Sequence, residues 1–355
     1  MKSYQVSYGG GLESLQLIEQ AIPEPGPGQV LVKVHANSFN FRELNVLRGN
    51  YPLPVKPTLI PISDGAGEVV AIGPGVVRTK TGDRVAANIF PRWIDGPFAW
   101  EYADQIGGSL DGTLTEYALL SEEAVVIIPD HLSYIEAAAL PCAGVTAWNA
   151  VTEGLPIKSG DTILTLGSGG VSLFALQFAK LSGVRVIATT SDEEKAERLR
   201  ELGADEVINY RQTPDWHIAV RKLTGGRGVD KVIEIGSGAF ENSIRSTAIG
   251  GQISLIGRSV VLPSLDPAAS DNPISKPQVA PPQSLIDLNV LFTSVASIRS
   301  VAVGSRARFI DMNRAISAHR MKPVIDRIFP FADAHAAYQY YQAGKYFGKV
   351  IISHE

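Results

Sequence analysis

A glycine-rich segment, residues 167–170, carries the clearest chemical signal in the sequence. The apolar residues 162–166 before it are typical of a buried strand, and residues 173–180 after it have the spacing of an amphipathic helix. Glycines at such a turn let the backbone approach a pyrophosphate, and the helix start presents unpaired N–H groups to it. The pattern departs from G-x-G-x-x-G, because Ser172 stands at the third glycine position. Dinucleotide binding is therefore the leading interpretation. A structural glycine turn, or a fold for another nucleotide such as a methyltransferase, is the alternative.

Few residues have the types and spacing of a metal site. Cys142 is the only cysteine, which excludes an intramolecular disulfide and a zinc site built on several thiolates. The six histidines lack a metal-binding spacing such as H-x-x-x-H. The acidic run of residues 192–194 is typical of a first helical turn, where carboxylates interact favourably with the helix dipole. We therefore expect no bound metal.

The composition excludes several classes of protein. The chain has 355 residues, of which 45% are hydrophobic and 19% charged, and it is long enough for two domains. A net charge of −4 gives no general attraction for nucleic acid or for an anionic membrane. No apolar run reaches the length of about 18 residues that a membrane span needs. The N-terminus has no apolar secretory signal, so we expect a cytoplasmic protein.

The pattern of secondary structure changes near residue 129. Residues 1–128 show short strands separated by Gly- and Pro-rich turns, which favours a small β-barrel. Strands then alternate with helices, which predicts a parallel, doubly wound α/β sheet. Residues 261–283 are rich in Pro and Ser and are interpreted as a mobile surface loop, with a lid as the alternative.

Eight motifs, in this order along the chain, resemble those of the medium-chain dehydrogenase/reductase superfamily. They lie at residues 25–32, 65–70, 82–85, 140–148, 167–172, 202–205, 208–211 and 347–351. The resemblance implies a GroES-like catalytic domain over residues 1–128 and a Rossmann domain over residues 129–297. It also implies that residues 298–355 return to the catalytic domain, and that the protein forms a homodimer through the edges of its Rossmann sheets.

The positions that hold catalytic zinc in one branch of this family are mostly altered here. The alignment puts Asn40 at the first Cys, and Ser63 and Asp64 at the His-Glu pair, so that only Cys142 retains the residue type of its ligand position. Arg42 falls at the Ser/Thr of the proton relay. Because zinc requires three protein ligands and an open position, the sequence resembles the zinc-free, quinone oxidoreductase-like branch.

The residues after the second Rossmann strand point to the cofactor. An acidic residue that binds the ribose of NAD is expected about 20 residues after the glycine turn, but Asp192 is interpreted as a helix cap. Ser191, Lys195 and Tyr210, with Arg211 nearby, resemble residues that surround the 2′-phosphate of NADPH in related reductases. A solvated helix charge is the alternative for Lys195. We therefore expect NADP(H) rather than NAD(H). The remaining predicted cofactor-binding residues are Thr146, Gly167, Ser168, Gly169, Gly170, Val171, Gly257 and Lys349.

Without a metal, the reaction must rely on hydrogen-bond donors. Hydride transfer to an enone or a quinone spreads negative charge over a conjugated system, which needs less local stabilisation than an alkoxide. Asn40 is the first choice as donor, with a turn residue as the alternative, and Ser63 and Thr146 are further candidate donors. Asp64 is counted with Asn40 and Arg42 among the predicted catalytic residues. Arg42 could stabilise an enolate oxygen or pair with an acidic neighbour, Glu43 or Asp64.

The predicted substrate pocket is aromatic. Its residues are Tyr51, Trp93, Phe98 and Trp100, the last three in a loop that replaces the family's structural zinc lobe. A dimer contact or a self-packed loop is the alternative for that loop, and Tyr51 or solvent is expected to supply a proton. The sequence thus predicts an NADPH-dependent reductase of quinones or α,β-unsaturated carbonyls. The alternatives are a ketone or alcohol dehydrogenase of the same fold and a non-catalytic NADPH-binding protein.

Overall fold

The computed structural model describes residues 1–236, 240–256 and 288–355. Contacts divide these residues into two compact units, of which the first comprises Met1–Val145 and Gly304–Glu355 and the second Thr146–Val303. Among the described helices, none is both long and apolar enough to cross a membrane. Residues 261–283 and Gly257, which were assigned roles from the sequence, lie outside the described residues.

The N-terminal part of the first unit is rich in strands. Its strands are β1 (Lys2–Ser7), β2 (Gln16–Glu19), β3 (Gln29–Ser38), β4 (Thr58–Leu59), β5 (Asp64–Ile72), β6 (Arg84–Ala87), β7 (Tyr117–Ser121) and β8 (Val125–Ile127). Its helices are α1 (Phe41–Leu47) and α2 (Tyr134–Ala138), followed by a π-helical turn (Leu140–Gly144), with 3-10 turns at Leu12–Ser14, Trp100–Tyr102 and Glu122–Ala124.

The second unit alternates helices with strands. Its elements are α3 (Val145–Thr152), β9 (Thr162–Leu166), α4 (Gly170–Leu181), β10 (Arg185–Thr190), α5 (Glu193–Glu201), β11 (Glu206–Asn209), α6 (Trp216–Leu223), β12 (Val229–Glu234), α7 (Phe240–Ser246), β13 (Thr247–Leu255), α8 (Leu288–Ser294) and β14 (Ser297–Ser300). The chain then re-enters the first unit through α9 (Arg306–His319), β15 (Ile325–Pro330), a 3-10 turn (Phe331–Asp333), α10 (Ala334–Gln342) and β16 (Lys349–Ser353).

The first unit is organised around β3. The main sheet has the order β15-β16-β3-β5-β6-β8, with β7 also paired to β3, and a smaller sheet has the order β2-β1-β4. Val30, Val32 and Val34 alternate along β3 and pack on Val69 and Val85 in one buried cluster. The C-terminal strand β16 runs antiparallel to β3, so the last residues of the chain complete this sheet.

The second unit contains the predicted doubly wound sheet. Its described strands are all parallel, in the order β11-β10-β9-β12-β13-β14. The direction of winding reverses between β9 and β12, and ligands of such sheets bind at the carboxyl ends of the strands at this point. The predicted fold class is confirmed: a β-rich GroES-like region and a Rossmann-like parallel sheet.

The boundary between the units lies later than the sequence suggests. Residues 129–145 belong to the first unit, because α2 packs on β3 and β5. Glu136 on α2 pairs with Lys322 at 2.7 Å, and both residues lie in the first unit. The second unit ends at Val303 rather than at residue 297. Helical periodicity reveals an apolar face but does not reveal which sheet covers it.

Candidate active site

Asn40 occupies the N-cap position of α1 without acting as a cap. Its backbone is extended, and its side chain makes no capping hydrogen bond. The Oδ1 atom instead accepts a hydrogen bond of 2.6 Å from Nζ of Lys349. The Nδ2 atom is buried and has no hydrogen-bond partner among the described residues. A buried amide donor without a partner is unfavourable by about 1–3 kcal/mol, so this donor is available to a water or a ligand.

Lys349, predicted to bind the cofactor, lies in a buried group of polar contacts. Its side chain is buried, and Nζ donates to the backbone oxygen of Phe39 at 2.6 Å as well as to Asn40. Nζ also lies 4.0 Å from Oδ2 of Asp64. Burial lowers the pKa of Lys349, although the Asp64 carboxylate opposes this effect. The ammonium group is therefore directed at residues of its own unit.

Arg42 takes the second of its two predicted roles, that of an ion-pair partner. Its Nη1 atom donates to both carboxylate oxygens of Glu43, at 3.0 and 3.3 Å. Its Nη2 atom donates to Oε1 of Gln105 at 2.8 Å and to the backbone oxygen of Gly107 at 2.9 Å, and Nε donates to the hydroxyl of Tyr51 at 3.3 Å. These contacts use the donors of the guanidinium group, so Arg42 does not itself stabilise an enolate.

Two buried carboxylates meet at a serine hydroxyl. Ser63 Oγ lies 2.7 Å from Oδ1 of Asp64 and 3.2 Å from Oε1 of Glu43. Because a hydroxyl carries one proton, Ser63 donates to only one of the two carboxylates at a time. Burial raises the pKa of Glu43; Arg42 lowers it, and Asp64 raises it further. Arg42, Glu43, Ser63 and Asp64 thus form a hydrogen-bonded cluster, and Asp64 lies inside it rather than facing a reactant.

The remaining zinc-type position, Cys142, is held beside the same carboxylate. Its backbone N–H donates to Oδ2 of Asp64 at 3.0 Å. Burial and the neighbouring Asp64 carboxylate raise the pKa of the Cys142 thiol to about 12. Within residues 1–236, 240–256 and 288–355, no three His, Cys, Asp or Glu side chains form a group that could hold a metal ion. One cysteine and one carboxylate beside the Lys349 ammonium supply fewer than the three protein ligands that a tetrahedral zinc site requires.

Tyr51 lies next to this cluster. The Arg42 guanidinium carbon lies 4.8 Å from the centre of the Tyr51 ring, and Arg42 Nε donates to the phenol oxygen. The hydroxyl oxygen is therefore an acceptor in this contact, which leaves the O–H bond of Tyr51 able to donate to another group.

The predicted aromatic pocket wall is largely a self-packed cluster. Trp93 contacts Phe90 and Phe98 edge to face, and its indole N–H donates to the backbone oxygen of Gly96 at 2.9 Å. Trp93 is buried, and Phe98 is half-buried. Trp100 packs edge to face on Phe98 but remains 75% exposed. The structure thus supports the alternative of a self-packed loop for Trp93 and Phe98, and leaves Trp100 as the exposed member.

The glycine-rich turn joins the end of β9 to the start of α4. Gly167 has a φ of 74°, which a residue with a Cβ adopts only with strain. A Cβ at Gly169 would meet no atom of the described residues within 4 Å. α4 begins at Gly170 with no side-chain cap. Ser172, at the third glycine position, is buried and donates through Oγ to the backbone oxygen of Leu166 at 2.6 Å. The serine therefore holds the end of β9 and does not cap α4. Ser168 and Val171 are half-buried in this segment.

Ser191, Lys195 and Tyr210 come from neighbouring segments of the second unit. The parallel register pairs Thr190 with Asn209, and Ser191 and Tyr210 follow these two residues directly. Lys195 lies in the first turns of α5, where its backbone N–H donates to the capping carboxylate of Asp192 at 2.8 Å. The interpretation of Asp192 as a helix cap is confirmed. Arg211 is exposed beside Tyr210.

The sequence did not reveal several residues that contact the hydrogen-bonded cluster. Gln105 and Gly107 hold Arg42, but they lie more than 60 residues from it, and no local pattern connects them. The acidic residue Glu43 directly after Arg42 was the one available signal, because a buried arginine needs a carboxylate. Thr146 is buried at the start of α3, and its role in orienting the nicotinamide stays a prediction.

Comparison with known proteins places two family models on the chain. The model described as "Alcohol dehydrogenase GroES-like domain" matches residues 26–130, and the model described as "Zinc-binding dehydrogenase" matches residues 170–318. The chain is 38% identical over 347 residues to a zinc-type alcohol dehydrogenase-like protein of Schizosaccharomyces pombe. This alignment covers 96% of each chain. It is 39% identical to the chloroplastic quinone-oxidoreductase QR1 of Triphysaria versicolor over 65% of this chain and 66% of that protein.

Solved structures show the same architecture. The structure of an NAD-dependent alcohol dehydrogenase has a TM-score of 0.83 and 33% sequence identity, and covers 100% of both chains. A mycobacterial protein, Rv1454c, solved as a complex with NADPH, has a TM-score of 0.77 and 27% identity over 99% of each chain.

Proposed function

The chain belongs to the medium-chain dehydrogenase/reductase superfamily and is an oxidoreductase, and we propose that it is an NADPH-dependent reductase of quinones or α,β-unsaturated carbonyls that works without zinc. The observation that carries this proposal is the buried amide donor of Asn40, which has no partner among the described residues and stands at a zinc-ligand position of the family.

The second unit supplies the residues that would hold the dinucleotide. The pyrophosphate would lie against Gly167, Gly169 and the start of α4, which has no side-chain cap and where backbone N–H groups and the helix dipole favour an anion. Thr146 would orient the nicotinamide end. When bound, NADPH supplies the hydride. Because members of this superfamily use a nicotinamide cofactor, the finer question is the preference between NADPH and NADH.

The end of β10 favours NADPH. The Asp192 carboxylate accepts from the N–H of Lys195, and the Glu193 carboxylate accepts from the amide of Asn209 at 2.8 Å. Both acidic groups are thus engaged within the protein rather than placed to accept from a ribose 2′-hydroxyl. Ser191, Lys195 and Tyr210 would then surround the 2′-phosphate. The resemblance to an NAD-dependent alcohol dehydrogenase keeps NADH as the alternative.

The donor set disfavours metal catalysis. Asp64 is engaged with Ser63, the Cys142 N–H and the Lys349 ammonium, so a cation at this place would compete with a buried lysine. Stabilisation of negative charge would fall instead to the Nδ2 donor of Asn40. A single preorganised donor contributes roughly 3–4 kcal/mol to a transition state, which suits a delocalised enolate or phenolate better than an alkoxide.

We propose Tyr51 as the residue that delivers the proton. In reduction of an enone, a hydride forms a C–H bond at the β-carbon, and the α-carbon then takes a proton from the Tyr51 O–H. The Arg42 guanidinium, 4.8 Å from the ring centre, would stabilise the tyrosinate until water returns the proton. Arg42 thus acts through Tyr51 rather than on the substrate.

We also propose a homodimer formed through β14. Among the described strands, β14 pairs with β13 alone. Phe292 and Val295 beside it are 84% and 65% exposed, and Ile298 on the strand is partly exposed. An open strand edge with exposed apolar side chains favours pairing with a second copy. Light scattering of the protein after size-exclusion chromatography tests this, and Ile298→Lys should weaken the dimer.

The reaction is tested by following NADPH oxidation with a quinone, a bulky enone and the matching saturated ketone. We expect turnover of the enone or the quinone and a preference for NADPH over NADH. Turnover of the saturated ketone alone would favour the alternative of a ketone or alcohol dehydrogenase. NADPH binding without turnover over a broad panel would favour a non-catalytic protein.

A further inference from the structure

Lys349 and Asn40 form a buried pair whose orientation is dictated by their chemistry. We propose that Lys349 is a positioning residue that aims the Nδ2 donor of Asn40 at the substrate oxygen. This inference rests on the proposed reductase function, and it replaces the role in cofactor binding that the sequence suggested for Lys349.

Only one orientation of the Asn40 amide is compatible with Lys349. An ammonium group has three donors and no acceptor, so the atom that faces it at 2.6 Å must be the amide oxygen. The opposite orientation would bring two sets of N–H donors together. The amide nitrogen must therefore point away from Lys349, and this is the atom that has no partner among the described residues.

Lys349 is itself fixed by its neighbours. Its Nζ atom donates to the backbone oxygen of Phe39, the residue immediately before Asn40, and lies 4.0 Å from Asp64 Oδ2. Asp64 in turn accepts from Ser63 Oγ and from the Cys142 N–H. An ion pair thus links the buried carboxylate to the lysine, and a hydrogen bond links the lysine to the amide. Holding a reacting geometry in this way matters because a misplacement of about 1 Å can reduce a rate roughly 100-fold.

The competing role for Lys349 is direct contact with the cofactor. Its side chain is only 2% exposed, its Nζ donates to Phe39 and Asn40, and it lies 4.0 Å from the Asp64 carboxylate. If Lys349 positions Asn40, Lys349→Met should lower kcat and leave the Kd for NADPH unchanged. If Lys349 binds the cofactor, the same variant should raise that Kd.

A double-mutant cycle tests the coupling. We expect Asn40→Ala to lower kcat about 100-fold and Lys349→Met to lower it at least about tenfold. The double variant should be no slower than Asn40→Ala alone, because Lys349 acts only through the amide. Losses that multiply in the double variant would overturn the proposal.

Lys231→Met is the matched control. Lys231 is another buried lysine, and its Nζ donates to the backbone oxygens of Val151 and Glu153 in the second unit. Its replacement also removes a buried ammonium, but its loss in kcat should multiply with that of Asn40→Ala. If Lys231→Met, like Lys349→Met, caused no further loss of kcat in the Asn40→Ala background, the effect of Lys349 would be a general response of the fold. The proposal would then fail.

The hydrogen bond between Asn40 and Lys349 is also tested by urea unfolding, which does not depend on turnover. Asn40→Asp removes the amide donor but gives Lys349 a carboxylate to pair with, so its urea unfolding midpoint should exceed that of Asn40→Ala while kcat stays low. Midpoint shifts of Asn40→Ala and Lys349→Met should not add. If the wild-type protein reduces none of the acceptors, the proposed function fails, whereas simple additivity of the midpoint shifts contradicts the contact itself.

Discussion

Nζ of Lys349 and Oδ1 of Asn40 lie 2.6 Å apart, although 309 residues separate them in the chain. The antiparallel register of β16 and β3 explains their meeting, because it pairs Ile351 with Ser38. Two residues further along that register, Lys349 stands opposite Asn40. The return of the C-terminal strand to the first unit therefore orients a side chain just beyond the end of β3.

Tyr51→Phe tests the proton donor. The variant keeps the ring beneath Arg42 but loses the O–H, so we expect kcat for an enone to fall about 100-fold, as for loss of a general acid. The solvent deuterium isotope effect on kcat should change as well. Tyr8→Phe is the control, because the Tyr8 hydroxyl donates to the backbone oxygen of Tyr51 at 3.3 Å. An unchanged rate in Tyr51→Phe would assign the proton to solvent.

Lys195→Ala tests the cofactor preference. The loss of a charge-assisted contact to the 2′-phosphate should raise the KM for NADPH about tenfold or more. The KM for NADH should change little, since NADH lacks that phosphate. Lys222 is exposed at the end of α6, so Lys222→Ala is the matched control. It should leave the KM values for NADPH and NADH unaltered. Equal effects of Lys195→Ala on NADPH and NADH would contradict the assignment.

His354 should make the fold sensitive to acid. Burial, and to a lesser extent His35, lower the pKa of His354 to about 3, and its Nε2 lies 2.7 Å from Oδ1 of Asn37. Between pH 3 and 6.5 the unfolded chain binds a proton that the folded protein does not. The free energy of unfolding should thus fall with decreasing pH, by at most about 1.4 kcal/mol per pH unit from this group.

Urea denaturation between pH 4.5 and 7 checks this prediction. His354→Gln should flatten the dependence on pH, whereas replacement of the exposed His319 by Gln should leave it as in the wild type. An unchanged slope in His354→Gln would show that the imidazole does not remain neutral in the folded protein.

Cys142 should react slowly with iodoacetamide. A thiol with a pKa of about 12 holds on the order of 1000-fold less thiolate at pH 8 than an ordinary cysteine. Because Cys142 is the only cysteine, mass spectrometry reports it without ambiguity. The same protein unfolded in urea serves as the control and should react at the rate of a free thiol. Rapid stoichiometric labelling of the folded protein would contradict the raised pKa.

The sequence predicts the second unit better than the first. Strands β9, β10 and β12 are short apolar runs that alternate with helices, so local periodicity identifies them. Which sheet α2 packs on depends on tertiary contacts, which local periodicity does not show. From the sequence alone α2 was assigned to the second unit, whereas it belongs to the first.

The candidate site shows the same limit. Asn40 was found from its place in a motif, but the roles of Lys349 and Arg42 depend on partners far along the chain. The register between β16 and β3 brings Lys349 to Asn40, and contacts over more than 60 residues bring Gln105 and Gly107 to Arg42. Similarly, the sequence shows the aromatic residues Trp93 and Phe98 but does not show that they pack on each other.

The most direct test of a zinc-free mechanism is turnover of an enone with NADPH after exhaustive treatment with a chelator, together with the zinc content of the purified protein. We predict that kcat survives chelation, that added zinc does not raise it, and that zinc is far below one atom per chain. Loss of turnover on chelation, with recovery when zinc is returned, would contradict the account. It would then direct attention to Cys142 and Asp64 as metal ligands.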